Sequence, residues 1–130
     1  IMGYAPFARG LIAGAVDTGT FVEGDTRAGY ERYSDGNLEK NLALLSTARD
    51  MAADKGISVA RLAVAWSLAK GAPIIPFPGA KSRDHLEDNV AALEVSLSTE
   101  DMAALDAAYP PGAAAGLRYS AAQLAAWYGE

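Results

Sequence analysis

The sequence contains no cysteine, which removes disulfides, thiolate nucleophiles and zinc–thiolate sites from consideration. It has a single histidine and its acids are scattered, so no metal site is expected. It lacks a basic excess: 11 Lys and Arg stand against 16 Asp and Glu, a formal net charge of -5. A sequence-independent grip on nucleic acid needs a positive field, so that class of partner is excluded. No apolar run approaches the roughly 18 residues of a membrane span. The opening "IMGYAPFARG" has neither a basic leader nor a long apolar stretch, so no signal peptide is expected. Together these absences set the expectation of a cytoplasmic protein.

What is present is 130 residues, 51% of them apolar, enough to bury one core. Residues 1–5 are apolar and end at Pro6, reading as a short strand. A domain rarely opens in mid-strand, so the chain is expected to be a piece of something longer. Residues 14–37 are rich in Gly, Asp and Thr without a period, a loop long enough to be either functional or poorly ordered.

Leu38, Leu42, Leu45, Ala48 and Ala52 then recur at helical spacing, predicting one helix from about Leu38 to Lys55. Asp35 or Asn37 is placed to cap its start and Gly56 its end. Ser58 caps a second helix with Leu62, Ala65, Trp66 and Ala69 on one stripe, closed by Gly71 and Pro73. Ile74 to Phe77 reads as a short buried strand, ended by prolines at 76 and 78. A third helix follows from about Ser82 to Leu93, with Leu86, Val90 and Leu93 expected to face inward. Ser98 or Thr99 caps a fourth, carrying Glu100 and Asp101 where the helix dipole favours anions. The tail holds a possible last helix with Leu124 and Trp127 on one side. Strand–helix alternation of this kind indicates a parallel α/β arrangement.

The chemistry concentrates where the second strand ends, in "PGAKSRDHLEDN". Parallel α/β folds bind ligands at the carboxyl ends of strands, where the next helix points its positive end. Gly79 lets the backbone approach a ligand, and Lys81 and Arg83 supply positive charge. One turn on, His85, Asp88 and Asn89 share a helical face and offer a polar rack. The same residues also fit a solvated surface, and spacing alone leaves both readings open. At the first strand end, Tyr4 could stack on a flat ring and the turn around Arg9 could face a second phosphate. A core tyrosine with a solvated arginine fits that pattern equally.

Taken in order, these stretches resemble the C-terminal portion of an aldo-keto reductase. "YAPFARG" (Tyr4 to Gly10) resembles the Tyr-Ser-Pro-Leu-Gly-Arg-Gly type of segment ending the family's seventh barrel strand. "FPGAKSRDHLEDN" stands where the eighth strand gives Ile-Pro-Gly-Thr-Lys and a helix with Leu-Glu-Glu-Asn. "NLEKNLALL", "ARLAVAWSLAKG" and "LSTEDMAALD" resemble the intervening helices. The resemblance implies an incomplete, helix-rich part of a (β/α)8 TIM barrel: its last two βα units plus a tail at 110–130, as one segment.

It also implies roles. Tyr4 would stack on the nicotinamide; Ala5, Phe7 and Arg9 would lie along the pyrophosphate. Gly79, Ala80, Lys81 and Arg83 would surround the 2′-phosphate of NADPH, with His85, Asp88 and Asn89 near the ribose and adenine. Ala5 replaces a serine and loses a hydroxyl contact, Ala8 replaces a glycine, and His85 stands where Arg or Gln is frequent, loosening the adenine end. The family's Asp, Tyr, Lys and His catalytic set lies on earlier strands, and no residue here stands in those motif contexts. The expectation is an NADPH-dependent oxidoreductase reducing aldehydes or ketones, of which this chain carries the cofactor-binding half without catalytic residues. The alternatives are a non-catalytic nucleotide-binding or interaction module that self-associates through exposed strand edges, and an all-helical scaffold.

Overall fold

The computed structural model describes residues 1–16, 21–34, 36–71 and 73–129. Two short strands, β1 (Met2–Tyr4) and β2 (Ile75–Phe77), pair in parallel. Met2 lies opposite Ile75, Gly3 opposite Pro76 and Tyr4 opposite Phe77. Parallel pairing requires a crossover, supplied here by three helices: α1 (Asn37–Leu44), α2 (Ser46–Asp54) and α3 (Val59–Ala69). After β2 come α4 (Arg83–Ala91), α5 (Thr99–Ala108) and α6 (Ala121–Tyr128). An all-helical scaffold is thereby set aside. Among the described residues, no helix is long and apolar enough to cross a membrane.

Caps follow the local chemistry. Ser58 accepts from the Arg61 N–H at 2.9 Å, and Ser82 accepts from the His85 N–H at 3.2 Å. Ser98 and Asp101 form a reciprocal capping box on α5, as do Ser120 and Gln123 on α6. Gly56, at φ +65°, ends α2 in a Schellman turn: its N–H donates to the Ala53 carbonyl and that of Ile57 to Ala52.

The helix expected from Leu38 to Lys55 is two helices. The chain breaks at Leu45, whose ψ of -1° lies off the helical value and whose N–H donates to the Leu42 carbonyl in a tighter turn. Leu45 is buried, so the break turns a core residue rather than a solvated one. Asn37 does not cap α1; it is the first helical residue, and its amide donates to the Glu31 carbonyl at 2.9 Å. Asp35, the other expected cap, lies outside the described residues.

Helix α3 sits at the centre. Its Leu62 packs with Ala48, Ala52 and Leu105, while Val64 and Ala65 pack with Ala92 on α4's C-terminal side. A third cluster, of Leu11, Val16, Tyr33 and Leu38, lies under the first loop. That loop is turned rather than shapeless where described: 3₁₀ turns at Thr26–Gly29 and Glu31–Tyr33 deliver Tyr33 to the core.

Three inside–outside expectations are reversed. Ile75 and Phe77 are 68% and 60% exposed, so β2 is not a buried strand. With two strands paired, the side chains of Met2, Tyr4, Ile75 and Phe77 alternate onto one open face, while Gly3 and Pro76 turn the other way. On α4 and the 3₁₀ turn that follows it (Ala92–Glu94), Leu86, Val90 and Leu93 are exposed, and Asn89 and Ala92 are buried instead. The small Ala92 lets the backbone approach α3, and Asn89 is drawn in because its amide donates to the Gly79 carbonyl at 3.3 Å. Ala69 is exposed as well, leaving Leu62, Val64 and Ala65 as the buried face of α3.

Candidate functional site

Because Tyr4 pairs with Phe77, the two strands end side by side and their following loops open from adjacent points. Between those loops lies a cavity of about 610 Å³, within the range of small-molecule sites. Its lining includes Tyr4, Ala5, Phe7, Arg9, Gly79, Ala80, Lys81, His85, Asp88 and Asn89. Of the residues singled out from the sequence, Arg83 alone lies outside that lining. It is the first residue of α4 and is exposed.

The first loop is tightly wound. Ala5, Ala8 and Arg9 all have positive φ, at +52°, +45° and +52°, a conformation that costs each roughly 1–2 kcal/mol. It is held by the Ala8 N–H on the Ala5 carbonyl and the Gly10 N–H on the Phe7 carbonyl, both at 3.0 Å. The Tyr33 hydroxyl donates to the Ala8 carbonyl, and an Arg118 guanidinium N–H donates to the Tyr4 carbonyl at 3.0 Å. Non-glycine strain of this kind clusters at ligand clamps.

The polar groups divide into spent and open ones. Asp88 accepts from the Ser58 hydroxyl at 2.5 Å and from Arg61 at 2.7 and 2.9 Å. It therefore braces α4 against α3 rather than serving with His85 and Asn89 as a free rack. Asn89 is spent in part on Gly79, which fixes the second loop. Arg27, from the long loop, reaches the lining while held by Asp25 at 2.6 Å; its hydrogen bond keeps the Asp25 carboxyl below the usual range. Among the described residues no carboxylate pairs with Lys81. A Cβ on Gly79 would meet nothing within 4 Å, so the backbone there is open to a ligand. The cavity thus offers an aromatic wall, an open glycine loop and, among the described residues, two cations without a carboxylate partner, Lys81 and Arg9, of which Arg9 donates to the Arg118 carbonyl.

Arg27, Gly10, Ala60 and Phe77 also line it and were not singled out from the sequence. For Arg27 a signal existed: Asp25 and Arg27 are two apart in "GDTRAG", and Asp25 caps the turn there by accepting the Arg27 N–H at 2.9 Å.

The cleft thus lies at the carboxyl ends of parallel strands, beside a helix start and a glycine loop, the place where α/β proteins hold their ligands. The chain belongs to the aldo/keto reductase family, whose model matches residues 1–110. A relative is an aldo-keto reductase of Schizosaccharomyces pombe (strain 972 / ATCC 24843), yakc, whose name carries NADP(+). It is 38% identical over 124 residues, which is 87% of this chain and 36% of the relative. The chain thus spans about a third of the length of that curated relative.

Proposed function

We propose that the chain forms the NADPH-binding C-terminal part of a (β/α)8 reductase that converts aldehydes or ketones to alcohols. The observation that carries this reading is the convergence of both strand-end loops on one cavity, with Lys81 on its wall and no carboxylate paired to it among the described residues. The residues present fit the cofactor. Tyr4 offers a ring face to the nicotinamide, and the wound loop from Ala5 through Phe7 to Arg9 offers backbone groups to the pyrophosphate. Gly79, Ala80 and Lys81 offer an open backbone and a cation to the 2′-phosphate. Arg83 adds positive charge at the start of α4, whose dipole favours an anion there. His85 and the partly committed Asn89 remain for the adenine end, with Asp88 acting through its brace on α3.

When bound, NADPH supplies the hydride. This chain's own residues bind and orient it; the proton donor belongs to the family's catalytic set, which none of its motifs supplies, so the chain alone is expected to be inactive. The 130 residues act as one segment in this reading, in the cytoplasm, on a small carbonyl compound.

Fluorescence titration of the chain with NADPH and NADH, repeated on Lys81→Ala, tests it. One charge-assisted hydrogen bond is worth about 1.5–3 kcal/mol, so NADPH should bind at least about tenfold more tightly than NADH, and the substitution should remove most of that margin. A folded chain that binds neither nucleotide refutes the reading. The alternative, a self-associating module, draws on the exposed Met2, Ile75, Phe77, Leu86, Val90 and Leu93, since open strand edges invite pairing. It requires concentration-dependent sedimentation that NADPH leaves unchanged.

A further inference from the structure

Beside the large cavity, and sharing Tyr4, Ala5 and Arg9 with it, lies a small one of about 90 Å³. Arg9, Arg32 and Arg118 all wall it, together with Tyr33 and Tyr119. Three guanidiniums converge on a space with room for a compact oxyanion. Each is held in place by a neutral partner. Arg32 Nε donates to the Gly116 carbonyl at 3.3 Å, Arg9 donates to the Arg118 carbonyl at 3.2 Å, and Arg118 to that of Tyr4 at 3.0 Å. Arg9 also stacks 4.2 Å over Tyr30 and 5.0 Å over Tyr119, and Arg118 lies 5.6 Å over the same Tyr119 ring.

Ring faces and carbonyls position guanidinium groups without cancelling their charge. Among the described residues, none of the three pairs with a carboxylate. The crowding registers in Arg32, whose guanidinium is held below its ordinary value first by burial and then by the Arg118 charge, with Arg9 adding to it. An anion in the pocket relieves that repulsion and accepts the donors still free, and a planar guanidinium matches a carboxylate edge to edge.

We propose that this pocket takes the carboxylate of the substrate, so that the preferred carbonyl compounds are oxo acids. The proposal rests on the reading above, in which Tyr4 faces the nicotinamide. Tyr4 walls both cavities, so a carbonyl brought to that ring places the far end of a short acid among the three arginines. A phosphate of the cofactor is the other source of an oxyanion, because Arg9 borders both spaces, and the two are separable by experiment.

Isothermal titration of the 130-residue chain with 4-carboxybenzaldehyde and with its methyl ester, each with and without saturating NADPH, is the test. The acid should bind about tenfold more tightly than the ester, as expected for a charge-assisted bond, and keep that preference with NADPH present. Arg32→Gln should reduce the preference to about threefold or less and Arg32→Lys should retain most of it, while NADPH affinity stays within about twofold. Arg118→Gln, at an exposed tail position, should reduce the acid preference in the same way should the Arg32 variants fail to fold; because Arg118 also holds the Tyr4 carbonyl, only the acid-to-ester ratio is read from it. Equal binding of acid and ester overturns the proposal, as does an unaltered preference in the glutamine variants. Loss of the preference when NADPH is present also overturns it, because the oxyanion would then be the cofactor's. Failure of NADPH to bind while the acid preference stands counts against the cofactor reading alone.

Discussion

Replacing Asn41 by leucine should destabilise the fold by about 2–4 kcal/mol, most of it through the tail. Asn41 is 2% exposed and its amide joins three separate segments. It donates to the Arg32 carbonyl and to the Ala115 carbonyl, both at 3.0 Å, and accepts from the Ala115 N–H at 2.8 Å. Leucine has a similar shape and keeps the apolar packing on α1, so the loss isolates the polar groups. Three hydrogen bonds at a net 0.5–1.5 kcal/mol each, with stranded partners costing 1–3 kcal/mol when they stay buried, give the range; relaxation of the tail toward water lowers it from the full sum. A domain has only about 5–15 kcal/mol in total, so urea melts followed by far-ultraviolet circular dichroism resolve the change readily. Hydrogen exchange gives the local readout: the Ala115 amide should lose its protection before the amides of α3 do. A change below about 0.5 kcal/mol, or an Ala115 amide that exchanges as before, would refute the account of Asn41 as the clasp between α1, the 31–33 turn and the tail.

Gly116→Ala tests the same docking from the other side. Gly116 has φ +81°, and a Cβ there would stand 2.8 Å from the Glu31 carbonyl carbon and 2.9 Å from the Arg32 nitrogen. Left-handed strain of about 1–2 kcal/mol adds to a backbone clash, so a loss of about 2–4 kcal/mol is expected, with unchanged stability as the contrary result. The pH profile of stability should fall at both ends. Hydrogen bonds from Lys55 and Lys70 hold the carboxyls of Asp101 and Asp106 below the usual 3.8, so their contribution is complete above that value and is lost as pH falls through the lowered ones. Burial raises the phenols of Tyr33 and Tyr109 above 10.0, so theirs is complete below that and is lost as pH rises through the raised values. A urea midpoint that rose toward the acid extreme would contradict the carboxyl assignment, and one that rose toward the alkaline extreme the phenol assignment.

The sequence disclosed those parts of the fold that short-range chemistry determines. Ser58, Ser98 and Gly56 mark helix ends because a hydroxyl beside a free N–H, or a glycine at positive φ, acts within a turn of chain. The strand-end residues came together because Tyr4 and Phe77 are in register, a consequence of parallel pairing that strand–helix alternation had already implied. The face of α4 was not legible. Periodicity finds the stripe of Leu86, Val90 and Leu93, but it cannot say which element covers that stripe, and the close approach to α3 selects Asn89 and Ala92 instead. Leu45 carries no glycine or proline to announce the break between α1 and α2. The commitment of Asp88 to Arg61 and Ser58 depends on how α3 and α4 pack, and the Arg9–Arg32–Arg118 convergence depends on where the tail lands. Both link residues distant in sequence.

The pairing of β1 with β2 has a consequence for the order of events in folding. It closes a loop of about 70 residues, at an entropic cost of about 4 kcal/mol before any contact is gained. Helices α1 to α3 draw on nearer neighbours and can assemble without it. With three residues to a strand and one face open, the sheet repays that closure with few bonds, so it joins late and parts early. The cleft stands on the ends of these two strands, and parting them dissolves it. A molecule that spans both loops therefore acts as a staple, spending part of its binding energy on keeping the first and second halves of the chain together.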